Sequence, residues 1–180
     1  VEGLILDLRN NSGGLVSSGI AVADSLLSEK PVVETKNRNG IKDAIISQKD
    51  SSYDGPMVTL VNKGTASASE ILAGSLQDNG RSILMGERTY GKGLIQSLKS
   101  LGDDSGIAIT VASYLTPRGN NIQGLGITPD KFLDLRDASE YGSAEDKWVK
   151  NAELYLDSLL EKEEVSIQNI ESRKEEITLN

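Results

Sequence analysis

At 180 residues and 37% hydrophobic content, the chain can bury one sizeable core and reads as a single domain, mainly aliphatic because it has only one Trp, one Phe and five Tyr. A formal net charge of -8 argues against nucleic acid or an anionic membrane as the main partner, and no apolar run approaches the ~20 residues that span a bilayer. With no histidine and no cysteine, a Ser-His-Asp triad, a cysteine nucleophile, disulfides and the usual zinc sites are excluded.

In chain order, residues 2 to 8 predict a buried strand that ends in a loop, Arg9 to Gly14, rich in residues tolerating positive φ. Helical apolar spacing at Ile20, Val22, Ala23, Leu26 and Leu27 predicts a helix from Leu15 to about Glu29, stopped by Pro31. Short strands at 31 to 36 and 43 to 48 flank a turn, and Pro56 to Val61 is a further apolar strand. It leads through Asn62-Lys63-Gly64 into a helix from about Ala66 to Asp78, closed by Asn79-Gly80. Strands follow at 82 to 86, 94 to 101 and 105 to 114, with a Gly-punctuated turn at 86 to 93. A loop at 116 to 126 precedes a short strand near 130 to 135. Trp148, Ala152, Tyr155 and Leu159 form one stripe of a terminal helix from about 144 to 162. The charged residues 163 to 180 predict a loosely docked or disordered tail. This alternation implies an α/β fold with a mixed sheet and flanking helices. The chain runs from Val1 straight into a strand and reads as a fragment.

Two residues carry candidate chemistry. Ser67 sits where a buried strand meets a helix, over backbone amides at the positive end of the helix dipole, and the Ala68 amide would be one oxyanion donor. Locally, however, Ser67-x-x-Glu70 fits a capping box better than a nucleophile, and Ser69 competes on the same reasoning. Lys92 lies between Gly91 and Gly93, 25 positions later. A lysine can replace histidine as base where burial disfavours its charged form, and the glycines could present it inward; a solvated turn lysine is equally open. Gly86 to Lys92 also fits the first seven positions of a phosphate-binding P-loop, but Gly93 stands where Ser or Thr should hold magnesium. The following segment is strand-like where a P-loop opens a helix, so nucleotide binding is set aside.

Five segments together resemble the C-terminal processing peptidases, or tail-specific proteases. They are Leu6 to Gly14, Asn62 to Ile71, Gln77 to Arg81, Gly86 to Gly93, and Thr116-Pro117 through Asp130; the likeness covers roughly residues 3 to 135. The resemblance implies a serine endopeptidase with a ClpP/crotonase-like spiral core, cleaving protein or peptide substrates near their C-terminus. It makes Ser67 the nucleophile, Lys92 the general base and Gln96 the residue orienting that lysine. The Gly13 and Ala68 amides become the oxyanion hole, and no metal or cofactor is implied. In a straight strand Lys92 and Gln96 would lie about 13 Å apart, so a direct contact requires a sharp bend, assigned to Gly93. Glu70 is read as a cap partner, Asp78 as a polar residue near a helix end, and Asp7 and Arg9 as local pairs. Ser12 stands where the family often has proline, which loosens the loop carrying Gly13. Residues 1 to 135 would be the catalytic core, 136 to 163 a helical segment and 164 to 180 the tail. The family's substrate-gathering PDZ domain is missing from these residues, and its usual setting is the periplasm or thylakoid lumen. Two other readings remain: a non-catalytic ligand- or peptide-binding module on the same scaffold, and crotonase-type acyl-CoA chemistry, for which no separate CoA signal is found.

Overall fold

The computed structural model describes residues 1–40, 42–48, 50–137 and 141–178, with side chains through residue 162. Its elements are β1 (Leu4–Asp7), α1 (Val16–Asp24), β2 (Pro31–Asn37), β3 (Lys42–Ile46), β4 (Met57–Val61), α2 (Ala68–Asp78), β5 (Ile83–Gly86), β6 (Leu94–Ser100), β7 (Gly106–Leu115), β8 (Lys131–Phe132) and α3 (Lys147–Thr178). They form an α/β fold, but with two separate sheets rather than the one mixed sheet expected. One is wholly parallel, in the order β1-β4-β5-β8; the other is antiparallel, in the order β3-β2-β7-β6.

The sequence of β4 explains the layering. All five of its residues are buried, as expected of a central parallel strand covered on both faces. Met57 and Val61 face one way, joining Leu8, Ile71, Leu72, Leu76 and Leu84 in the larger core, which the partly buried side of α1 also packs against. Val58 and Leu60 face the other way, onto Trp148, Ala152 and Leu156 of α3. The helix stripe expected at Trp148 and Ala152 is therefore a docking face, and both residues are fully buried.

Two helix boundaries differ from expectation. α1 stops at Asp24 rather than near Glu29. The Ser25 hydroxyl there donates to the Val22 carbonyl at 2.8 Å, and Leu26 N–H bonds back only three residues, to Ala23. Such local bonds tighten and end a helix, leaving Leu26 and Leu27 to bury themselves from the connection that follows. α3 runs to Thr178 rather than about 162, because its backbone remains helical after the apolar stripe ends.

Candidate active site

Ser67 is the N-cap of α2, reached directly from buried β4 through Asn62 to Ala66. Its backbone has φ 57° and ψ -121°, a region that side chains other than glycine rarely enter. The loop ahead of it is tied to the one after β1. Thr65 Oγ1 donates to the Leu8 carbonyl (2.7 Å), Ala66 N–H to the Asn11 carbonyl (3.0 Å), and Asn62 Nδ2 to Asn10 Oδ1 (3.0 Å). These bonds press Gly13 against the serine. Gly13 has φ +91°, and a Cβ there would stand 2.6 Å from Ala66 O, 2.9 Å from Ala68 N and 3.0 Å from Ser67 Cβ. Only glycine fits, and Gly13 and Ala68 come together beside Ser67. The Gly13 amide itself donates to Asn11 Oδ1 at 3.0 Å. Ser67 is half-buried, whereas the rival Ser69 is buried.

Glu70 organises the other half. Fully buried, it accepts four hydrogen bonds: Ser67 N–H (2.9 Å) and Lys92 N–H (2.8 Å) on Oε2, Thr89 Oγ1–H (2.5 Å) and Gly91 N–H (2.7 Å) on Oε1. One carboxylate oxygen thus holds the backbones of both Ser67 and Lys92. The cap role expected for Glu70 is present through its bond to the Ser67 amide. The three bonds into residues 89 to 92 go beyond a cap role, and they join two of the family-like segments, Asn62 to Ile71 and Gly86 to Gly93.

The Lys92 side chain takes the solvated of the two orientations open to it. Its glycine neighbours are buried, and Gly91 has φ +93° with its Cβ position 2.9 Å from Gly126 N. The Lys92 side chain is exposed and its amine makes no hydrogen bond or ion pair among the described residues, to the Ser67 hydroxyl or elsewhere. The glycines allow close packing of two loops rather than turning the lysine inward. Gln96 lies exposed on β6, opposite Thr110, with no hydrogen bond to Lys92. The break in strand register falls between Ile95 and Gln96, not at Gly93, whose carbonyl accepts from Tyr114 N–H at 2.7 Å.

Asp7 and Arg9 form the expected local pair, with Arg9 Nε 2.9 Å from Asp7 Oδ1. A second partner, Asp146, lies 137 positions away: the guanidinium forks onto its two oxygens at 3.0 and 2.6 Å, and both side chains are almost completely buried. Burial alone would lower the Arg9 pKa, but Asp7 and Asp146 raise it instead. Burial likewise pushes Asp146 up, and the bonds from Arg9, Gly142 and Val149 outweigh this and hold it at about 2. Asp78 accepts the Arg118 amide at 2.9 Å, a structural role as expected. After Lys92 the chain enters strand β6, not the helix a P-loop requires.

The structure thus brings together a serine at a strand-to-helix turn, Gly13 packed against it, and a lysine-bearing loop tied to the same carboxylate. The family model for peptidase family S41 matches residues 1–131, and the chain belongs to that family. It is 54% identical over 133 residues to a carboxyl-terminal-processing protease of Synechocystis sp., covering 74% of this chain and 31% of that protein. It is 51% identical over 136 residues to the chloroplastic C-terminal processing peptidase of Tetradesmus obliquus, covering 74% of this chain and 29% of that one. Among solved structures it resembles the photosystem II D1 C-terminal processing protease, with TM-score 0.72 and 49% identity over 74% of this chain and 35% of that one. The chain thus spans about a third of the length of these relatives.

Proposed function

We propose that this chain is the catalytic core of a serine endopeptidase that processes protein substrates near their C-terminus. The observation that carries the reading is the single Glu70 oxygen holding the Ser67 and Lys92 amides together while Gly13 packs on Ser67 and Ala68. Ser67 Oγ attacks the scissile carbonyl as Lys92 Nζ takes its proton. The oxyanion rests on the Gly13 and Ala68 amides, and the amine of the departing peptide leaves with a proton returned by Lys92. Water, deprotonated by the same lysine, then releases the acyl group from Ser67. Two changes must accompany substrate: the Gly13 amide leaves Asn11 Oδ1, and the exposed Lys92 side chain is covered and swings to Ser67. Gln96 would then orient the amine.

The parallel sheet, with helices on both faces and the serine at its strand end, supports a ClpP/crotonase-like spiral core in residues 1 to 135, with 136 to 163 an appended helical segment and 164 to 180 a charged tail. The family resemblance supports an extracytoplasmic setting, periplasm or thylakoid lumen, and the relatives named as C-terminal processing proteases, one of them of photosystem II D1, support a protein substrate. Exposure of Lys92 favours a second reading, a peptide-binding module without catalysis. Incubating the protein with a peptide of a dozen residues and following fragments by mass spectrometry separates the two. The proposal requires a discrete cut near the peptide's C-terminus that disappears with Ser67→Ala and survives Ser69→Ala. Peptide bound but uncut, or cut equally by Ser67→Ala, overturns it.

A further inference from the structure

The antiparallel sheet carries a feature the proposed chemistry does not use. On the face shared by β2, β3, β7 and β6, a cleft of about 540 Å³ is lined by Lys36, Arg38 and Lys42 with an apolar floor that includes Leu94, Val111 and Leu115. Strand register sets this arrangement. Lys36 stands directly opposite Lys42 on β3 and opposite Ser113 on β7, while Ser113 stands opposite Leu94 on β6, so these side chains share one face. Like charges directly opposed across strands are destabilising. Glu34 relieves one of them through its ion pair to Lys42 at 2.9 Å. Lys36 and Arg38 are exposed and have no carboxylate partner among the described residues. Asp43, the next residue on β3, alternates to the opposite face. Three cations against one carboxylate is an unusual concentration in a chain whose net charge is -8.

The cleft is also placed to be used. Leu94 lies two residues beyond Lys92, and the hydrogen bond from Tyr114 N–H to the Gly93 carbonyl fixes the end of β7 against the Lys92 loop. Leu94 and Val111 are 41% and 44% exposed, so the floor offers open apolar contact beside the unpaired cations.

We infer that this cleft binds the carboxylate-bearing end of an extended peptide, seating the terminal carboxylate on Lys36 and Arg38 and its apolar side chains on Leu94 and Val111. The inference rests on the peptidase reading and adds to it a carboxylate site within the core itself. Charge complementarity selects the carboxylate: a mobile anionic terminus relieves the Lys36–Lys42 opposition, and an extended chain matches the strand-lined floor.

The test uses the Ser67→Ala protein and two peptides, acetyl-Leu-Val-Leu-Ala with a free carboxylate and its C-terminal amide, titrated by calorimetry and by amide NMR. The carboxylate is expected to bind at least about fivefold more tightly, with shifts centred on Lys36 and Val111. The preference should shrink as salt rises and vanish in a Lys36→Gln/Arg38→Gln variant. Equal affinity, no binding of either peptide, shifts centred elsewhere, or a preference that survives the double variant overturns the inference. Cleavage by the unmodified protein is scored separately. A cut at Ser67 without carboxylate preference leaves the peptidase reading standing and removes this one; carboxylate preference without any cut does the reverse.

Discussion

Glu70 is a buried carboxylate with no cationic partner among the described residues, held instead by four donors and by the positive end of α2. Because each oxygen accepts two donors, Glu70→Gln must turn an amide nitrogen toward N–H groups. Chemical denaturation of that variant should show a loss of about 2–3 kcal/mol, the cost of leaving buried donors unpaired. Ser67 offers a complementary test. Its φ of 57° stores strain of about 1–3 kcal/mol. Ser67→Gly should raise the free energy of unfolding by about 1 kcal/mol, net of glycine's greater flexibility when unfolded. The same variant should lose all peptide cleavage. An unchanged or lowered stability would show that the turn is not strained. Gly13→Ala should do harm on both counts, since its Cβ would be driven into Ala66 O and Ala68 N.

At the scale of elements, the site loop after β1 and the distant helix α3 are joined by Arg9. Asp146 receives the guanidinium and also the amides of Gly142, Trp148 and Val149, so it caps α3 while holding the loop that continues to Gly13. Asp146→Asn removes a buried partner but leaves Asp7 on Arg9, and should cost about 2–4 kcal/mol in a denaturant titration. The pH sign follows from the direction of the shift. Asp146 is held at about 2, below its ordinary value of 3.8, so its contribution is fully present above the ordinary value and is lost as pH falls toward 2. Between pH 5 and 2 the wild type should therefore lose more stability than Asp146→Asn; parallel curves would refute this role. Trp148→Ala, which empties a fully buried site between α3 and β4, should cost about 3–5 kcal/mol.

For the whole molecule, period and punctuation in the sequence revealed most elements. The alternation of β4 with α2, the stripe on α3 and the turn residues after β1 each follow from local pattern. The family resemblance implied that Gly13 lies beside Ser67 and Ala68, and the structure brings the three together. Long-range pairing was not legible. Nothing near Arg9 announces Asp146, and nothing near Glu70 announces the amides of Gly91 and Lys92, because a buried polar group takes whichever partner the chain topology delivers. The orientation of Lys92 is not legible for a related reason: flanking glycines permit either an inward lysine or close loop packing, and the structure has Gly91 packed against Gly126 with the lysine exposed. The same topology gathers Lys36, Arg38 and Lys42, which are spread over a turn in the sequence, into one cleft. The claim on which the functional account turns is that Ser67 depends on Lys92. The most direct measurement is the rate at which a fluorophosphonate modifies Ser67, compared between wild type and Lys92→Ala with modification mapped by peptide mass spectrometry. The account predicts a fall of at least about a hundredfold, the scale of a lost general base. An unchanged rate, or a modified serine other than Ser67, would contradict it.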